Sequence, residues 1–189
     1  MQALYFMTNG TIHSIMLKMV CEVRALKILG LDPGLATIGY GVVETNGFRH
    51  RMIDYGVITT PPKTALPERL KMIYQDVHTL MERVAPDAVA IEELFFNTNV
   101  TTGINVAHAR GVILISVSDY TDHIYEYTPL QIKQAVVGYG RADKIQVQRM
   151  VQTLLKLDKI PRPDDAADAL AVALCHANTN HFSEQFRVK

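Results

Sequence analysis

Four acidic residues stand where apolar runs begin or end. Asp32 closes LKILGLD, Glu92 follows AVAI, and Asp165 and Asp168 open the run DAADALAVAL. Carboxylates are hard oxygen donors, so a cluster of them suits Mg²⁺ or Mn²⁺, which take few protein ligands and keep several waters. Two such ions roughly 4 Å apart would activate a water and stabilise the leaving oxygen in phosphodiester hydrolysis. Each acid alone has a plainer explanation. Asp-Pro-Gly makes a turn, Glu92 suits a solvated strand end, and Asp164 or Asp165 could cap a helix and complement its dipole. Asp168 is harder to explain away, because its helix is apolar nearly all round and a carboxylate there loses solvation unless a cation or donor compensates. Asp165 and Asp168 are three apart and so share one side of that helix. Together the four read as a metal site.

The elements that must bring them together follow from hydrophobic period and turn signals. Leu26 to Leu31 reads as a short buried strand ending at the Asp-Pro-Gly turn, followed by strands over Thr37 to Glu44 and Arg51 to Thr59. Short connections make these three antiparallel. Pro67 to Val84 carries a helical stripe of Leu70, Ile73, Tyr74, Val77, Leu80 and Met81. A buried strand over Ala88 to Ile91 runs into Glu92. A long apolar helix over Asn99 to Tyr120 and a fifth strand over His123 to Tyr127 come next. Helical stretches over Leu130 to Val137, Lys144 to Leu157 and Asp165 to Ala177 complete the order. The expected fold is α/β and ribonuclease H-like: a five-stranded mixed sheet, three antiparallel strands plus two parallel ones, flanked by helices.

The 189 residues suit one domain with a sizeable core, and 48% hydrophobic with 20% charged residues is ordinary globular composition. Cys21 and Cys175, far apart and outside any CxxC pattern, exclude a disulfide scaffold or zinc ribbon and suit a reducing cytoplasm. The seven histidines show no HxH or HExxH spacing and read as core or surface residues. Residues 1–25 are broken by Thr8, Asn9, Gly10 and His13, too short to span a bilayer and unlike a signal peptide. They read as a disordered extension or, given Met7, Met16 and Met19, as an upstream start. The domain is expected over 26–178, with a polar tail over 179–189.

ILGLDPGLATIGYGVV, AIEELFF, NVAHARGVIL, IKQAVVGYGRADKIQVQRMV and DDAADALAVAL, in this order, closely resemble successive blocks of the bacterial RuvC resolvases over residues 27 to 178. The resemblance implies a Holliday-junction resolvase, a crossover junction endodeoxyribonuclease of recombination and repair that cuts two strands of a four-way junction symmetrically. It implies that Asp32, Glu92, Asp165 and Asp168 are the catalytic, metal-holding acids, the third being a His in some members. It further implies Mg²⁺, with Mn²⁺ substituting, at one or two ions per subunit, a homodimer, and work beside a RuvA-RuvB branch-migration complex. The N-terminal extension departs from the family pattern.

The net charge of +0 is low for a nucleic-acid binder, so distribution has to supply the phosphate contacts. Tyr127 to Pro163 holds seven cations against two acids, a local +5. Within it the resemblance implies that Lys133, read as catalytic, and Lys144 lie near the scissile strand. Arg141 and Arg149 are further candidate DNA contacts, whereas Lys156 and Lys159 read as solvated surface. Phe95 is expected to face the DNA beside the metal site, where an aromatic ring can wedge against unstacked bases, and Phe96 is left open. The Asn99 to Tyr120 helix has more apolar surface than one sheet face needs and is the candidate dimer interface. Three rivals remain: an actin-like ATPase, for which the chain is short and lacks a second phosphate loop; a junction-binding module without chemistry, which would lose acids; and a ribonuclease H-like nuclease with another substrate.

Overall fold

Side-chain alternation along the two central strands settles which helices cover which face. The computed structural model describes residues 25–94, 100–179 and 184–188. Its elements run β1 (Leu26–Asp32), β2 (Thr37–Thr45), β3 (His50–Thr59), α1 (Leu66–Val84), β4 (Ala88–Glu92), α2 (Val100–Ser118), β5 (Ile124–Tyr127), α3 (Pro129–Val137), α4 (Lys144–Leu154) and α5 (Asp164–Thr179). The sheet order is β3-β2-β1-β4-β5, with β1 antiparallel to β2, β2 antiparallel to β3, and β1–β4 and β4–β5 parallel. This is the expected mixed sheet.

Ile28 on β1 and Ala88 and Ala90 on β4 pack into one core with α3, α4 and α5. Leu29 and Leu31, with Val89 and Ile91, pack into the other, formed with α1 and α2. The period of two therefore sends the next even-numbered residues, Asp32 and Glu92, toward the α3–α5 face. Parallel pairing of Leu31 with Ile91 sets these two acids level with each other at neighbouring strand ends.

Helix α5 lies unusually close to the sheet, and glycine is the reason. A Cβ at Gly30 would stand 2.1 Å from the Ala169 carbonyl oxygen, and one at Gly39 would stand 2.0 Å from the Asp165 carbonyl oxygen. On the helix side the contact is made by Ala166, Ala169 and Ala173, all buried. Any larger residue in this layer would lift α5 away from the strand ends.

Two helices stop short of the sequence reading. α4 stops at Leu154, because Lys156 takes a left-handed φ of 53° and the Gln152 side-chain amide donates to the Leu157 carbonyl at 3.2 Å. α2 stops at Ser118, beyond which the Tyr120 and Thr121 amides turn back onto the Val117 carbonyl. Among the described residues, no helix is long and apolar enough to cross a membrane.

Because Gly30 lies against helix backbone, Gly30→Ala is expected to cost about 2 kcal/mol or more. Urea unfolding of the purified variant measures this, and an unchanged midpoint would mean that α5 moves away without cost.

Candidate active site

The acids converge as the strand geometry requires. Asp32 and Glu92 end β1 and β4 side by side, close enough for their carboxyl groups to act on each other. Asp168, one turn into α5, repels both of them electrostatically. Asp165 also acts on Asp32 and Asp168, but stands on the far side of the cluster. There it lines a groove of about 420 Å³ with Gly34, Leu35, Ala36, Thr37, Arg69, Asn105 and Val106.

Burial is the largest cause of the acids' altered chemistry, and mutual repulsion adds to it. As a pair, Asp32 and Glu92 are pushed up to about 8 and about 7, respectively. Asp168 is raised in the same direction by burial, against the pull of Lys144. Full ionisation of these partly buried acids would leave more negative charge than the neighbouring lysines neutralise.

Two lysines enter from separately capped helices. Thr128 and Gln131 form a reciprocal capping box that starts α3, and Lys133 follows within the next turn. Asp143 and Gln146 form a second box that starts α4, with both bonds at 2.8 Å. That cap puts Lys144 at the first helical position, where the helix dipole disfavours a cation. Contact with acids offsets this: Lys144 Nζ lies 2.9 Å from Asp168 Oδ2 and 3.6 Å from Asp164 Oδ2. Glu92, Lys133, Lys144 and Asp168, with Pro129, Ile132, Val147 and Ala171, line a cavity of about 240 Å³.

These residues fit a hard divalent cation by charge and donor type. Among the described residues, no group of three or more His, Cys, Asp or Glu side chains is arranged to hold a metal ion as it stands. Lys144 pairs with Asp168 and acts on Asp32 and Glu92 through its charge. Arg141, in the α3–α4 turn, and Arg149, on α4, are exposed and do not line the cavity. Phe95 and Phe96 lie outside the described residues.

The family model for the crossover junction endodeoxyribonuclease RuvC matches residues 28–176, the span that contains all four acids and both lysines. The chain belongs to the RuvC family. It is 59% identical to the RuvC of Alkaliphilus oremlandii over 162 residues, 86% of this chain and 99% of that protein. A solved structure of T. thermophilus RuvC in complex with Holliday junction substrate matches with a TM-score of 0.78 at 37% identity, covering 82% of this chain and 94% of that one. The yeast mitochondrial Holliday junction resolvase Ydc2 shares the fold, with a TM-score of 0.57 at 14% identity over 84% of this chain. Membership makes the protein a junction-resolving nuclease acting on phosphodiester bonds.

Several supporting residues escaped the sequence reading. Arg69 of α1 donates to the Leu35 carbonyl at 3.1 Å and to Thr60 Oγ1 at 2.8 Å, while Thr60 Oγ1 donates to the same carbonyl at 2.6 Å. The loop that follows Asp32 is pinned by these bonds, which no local pattern announces. Residues 184–188, read as a tail without a motif, instead reach β5. Arg187 bridges to Tyr125, the Val188 amide donates to the Ile124 carbonyl at 2.9 Å, and Phe186 packs on the Tyr127 ring. Alternation of Phe186 and Val188 was the available signal. His176 is a core residue as expected: burial lowers it to about 4, and its Nδ1 lies 2.7 Å from the Tyr127 hydroxyl.

The raised pair sets a pH dependence. The folded state holds protons that the unfolded chain has already lost, so stability is greatest below the ordinary carboxylate range and falls as pH rises toward about 8. Metal-free protein is expected to lose on the order of 2 kcal/mol between pH 5.5 and 8.5, and Asp32→Asn to recover much of it at the upper end. Chemical denaturation in EDTA at both pH values checks this. A variant no more stable than the parent at pH 8.5 would refute the strain assigned to Asp32.

Proposed function

We propose that this protein cuts four-way DNA junctions by Mg²⁺-dependent hydrolysis, with Asp32, Glu92, Asp165 and Asp168 as the acids of the active site. One observation carries the reading: two level carboxylates at parallel strand ends face a third on a helix, partly buried and, once ionised, without enough cationic charge to balance them. Asp32, Glu92 and Asp168 would hold the ion or ions, with Asp165 completing the set from the groove side. When bound, such an ion supplies Lewis acidity to the scissile phosphate and charge for the leaving oxygen.

The chain's own cations account for positioning. Lys133 and Lys144 line the cavity from two helices, so a phosphate entering it would meet two ammonium groups beside the acids. Among the described residues Lys133 forms no ion pair and acts on Glu92 through the field, which leaves its ammonium available to the phosphate; we assign it a catalytic role. Arg141 and Arg149 would contact phosphates farther along the strand, and Phe95 would meet the bases. Mn²⁺ is expected to substitute for Mg²⁺.

Symmetric cutting needs two active sites at fixed separation, and we infer a homodimer built on α2. Ile104, His108, Gly111 and Ile115 recur on one exposed face of that helix, with Ile104 50% and Ile115 60% accessible. Association with a RuvA-RuvB complex rests on family membership alone, as does a cytoplasmic location.

With a synthetic four-way junction and a matched duplex, Mg²⁺ is expected to give paired symmetric nicks in the junction only, absent in EDTA. Asp32→Asn should lose at least about 100-fold in cleavage rate while still binding the junction. Cleavage by that variant at the parental rate would sink the assignment. Lys133→Ala is expected to lower single-turnover cleavage at saturating junction by about 10- to 100-fold with unchanged melting; an undiminished rate would remove Lys133 from the chemistry.

A further inference from the structure

Asp164 precedes the two α5 acids and has no place in the acid set assigned above, yet it shares Lys144 with Asp168. Its two oxygens face different cations. Oδ1 accepts from Arg162 Nη1, while Oδ2 points at Lys144 Nζ at 3.6 Å. Arg162 thereby fixes the orientation of the carboxylate and leaves its second oxygen toward the lysine. Lys144 itself lies closer to Asp168, at 2.9 Å, on a carboxylate that would also hold the divalent ion. An ammonium and a dication on one carboxylate repel each other strongly. That repulsion would drive Lys144 away when the ion arrives, and Asp164, one turn back along α5, is the second carboxylate already within its reach.

We propose that Asp164 is a positioning residue that receives Lys144 when a divalent cation takes Asp168. This rests on the metal reading of the site. Without the ion, Lys144 screens Asp168 and holds the acids in place. With the ion bound, transfer to Asp164 keeps Lys144 beside the cavity rather than letting it swing into solvent, so the same ammonium then serves the phosphate. The side chain of Lys144 is half exposed and that of Asp164 is 41% exposed, which leaves room for the movement.

The exchange is tested by titrating DNA-free protein with Mn²⁺ alone, using calorimetry or the loss of free-ion EPR signal. Asp164→Asn is expected to weaken Mn²⁺ binding about fivefold, the size of one partly exposed ion pair. Lys144→Met should tighten binding by removing the competitor. In the Lys144→Met background, Asp164→Asn should change affinity less than about twofold, because Asp164 acts through the lysine. Asp164→Glu should restore most of the parental affinity, and melting curves of all variants check that they fold. An equal loss in both backgrounds would overturn the proposal, since Asp164 would then act only as a nearby negative charge. If the parent bound no Mn²⁺ that Asp168→Asn abolishes, the metal reading would fall and this inference with it.

Discussion

Everything at this site depends on how closely one helix backbone approaches two strands. Helix α5 carries Asp165 and Asp168, and its carbonyls lie where the Cβ atoms of Gly30 and Gly39 would otherwise stand. With side chains of ordinary size in that layer, the helix would ride several ångströms higher, as packed layers normally do. Its acids would then miss the strand-end acids. The glycines of β1 and β2 and the alanines of α5 exclude bulk rather than fill space, and this exclusion places the α5 carboxylates beside those of the strand ends in a partly desolvated corner.

The same placement is costly to the empty protein. Like charges held out of water favour protonation, so the resting site is strained toward neutrality. Lys144 relieves part of this from the start of α4, a position that its own helix dipole makes unfavourable. Local stability is thus given up in two places, at the acids and at the lysine, and both concessions meet in one cavity. Such a concentration of unfavourable groups is what a site evolved to hold cations and phosphates is expected to show.

Most of the architecture was legible in the sequence because it rests on local signals. Short apolar runs marked the central strands, the Asp-Pro-Gly turn ended β1, and the helical stripe of Leu70 to Met81 marked α1. The acids were legible as a set from their positions at element ends. What stayed hidden depends on contacts distant in sequence. Gly30 and Gly39 look like ordinary strand glycines until α5 is laid over them, and Arg69 reads as one more helix cation until it reaches the Leu35 carbonyl. The pairing of residues 184–188 with β5 was missed because three or four residues carry too little period to register as a strand. Asp164 read only as a helix-capping candidate, since its neighbour Lys144 lies 20 positions away in sequence.

The strand alternation that aims Asp32 has a further consequence for how this chain can vary. A side chain's face depends on whether its position is odd or even, so residue identity along β1 is more free than residue number. Exchanging one aliphatic residue for another in LKILGL keeps Asp32 aimed at α5. Deleting a single codon from that strand would turn the carboxylate toward α1 and α2 while leaving composition and hydrophobicity almost untouched. Insertions in the connection between α1 and β4 carry no such penalty, because the pairing of β4 with β1 resets the count. Sequence drift in this protein is therefore expected to proceed by substitution within the central strands and by length change only between them.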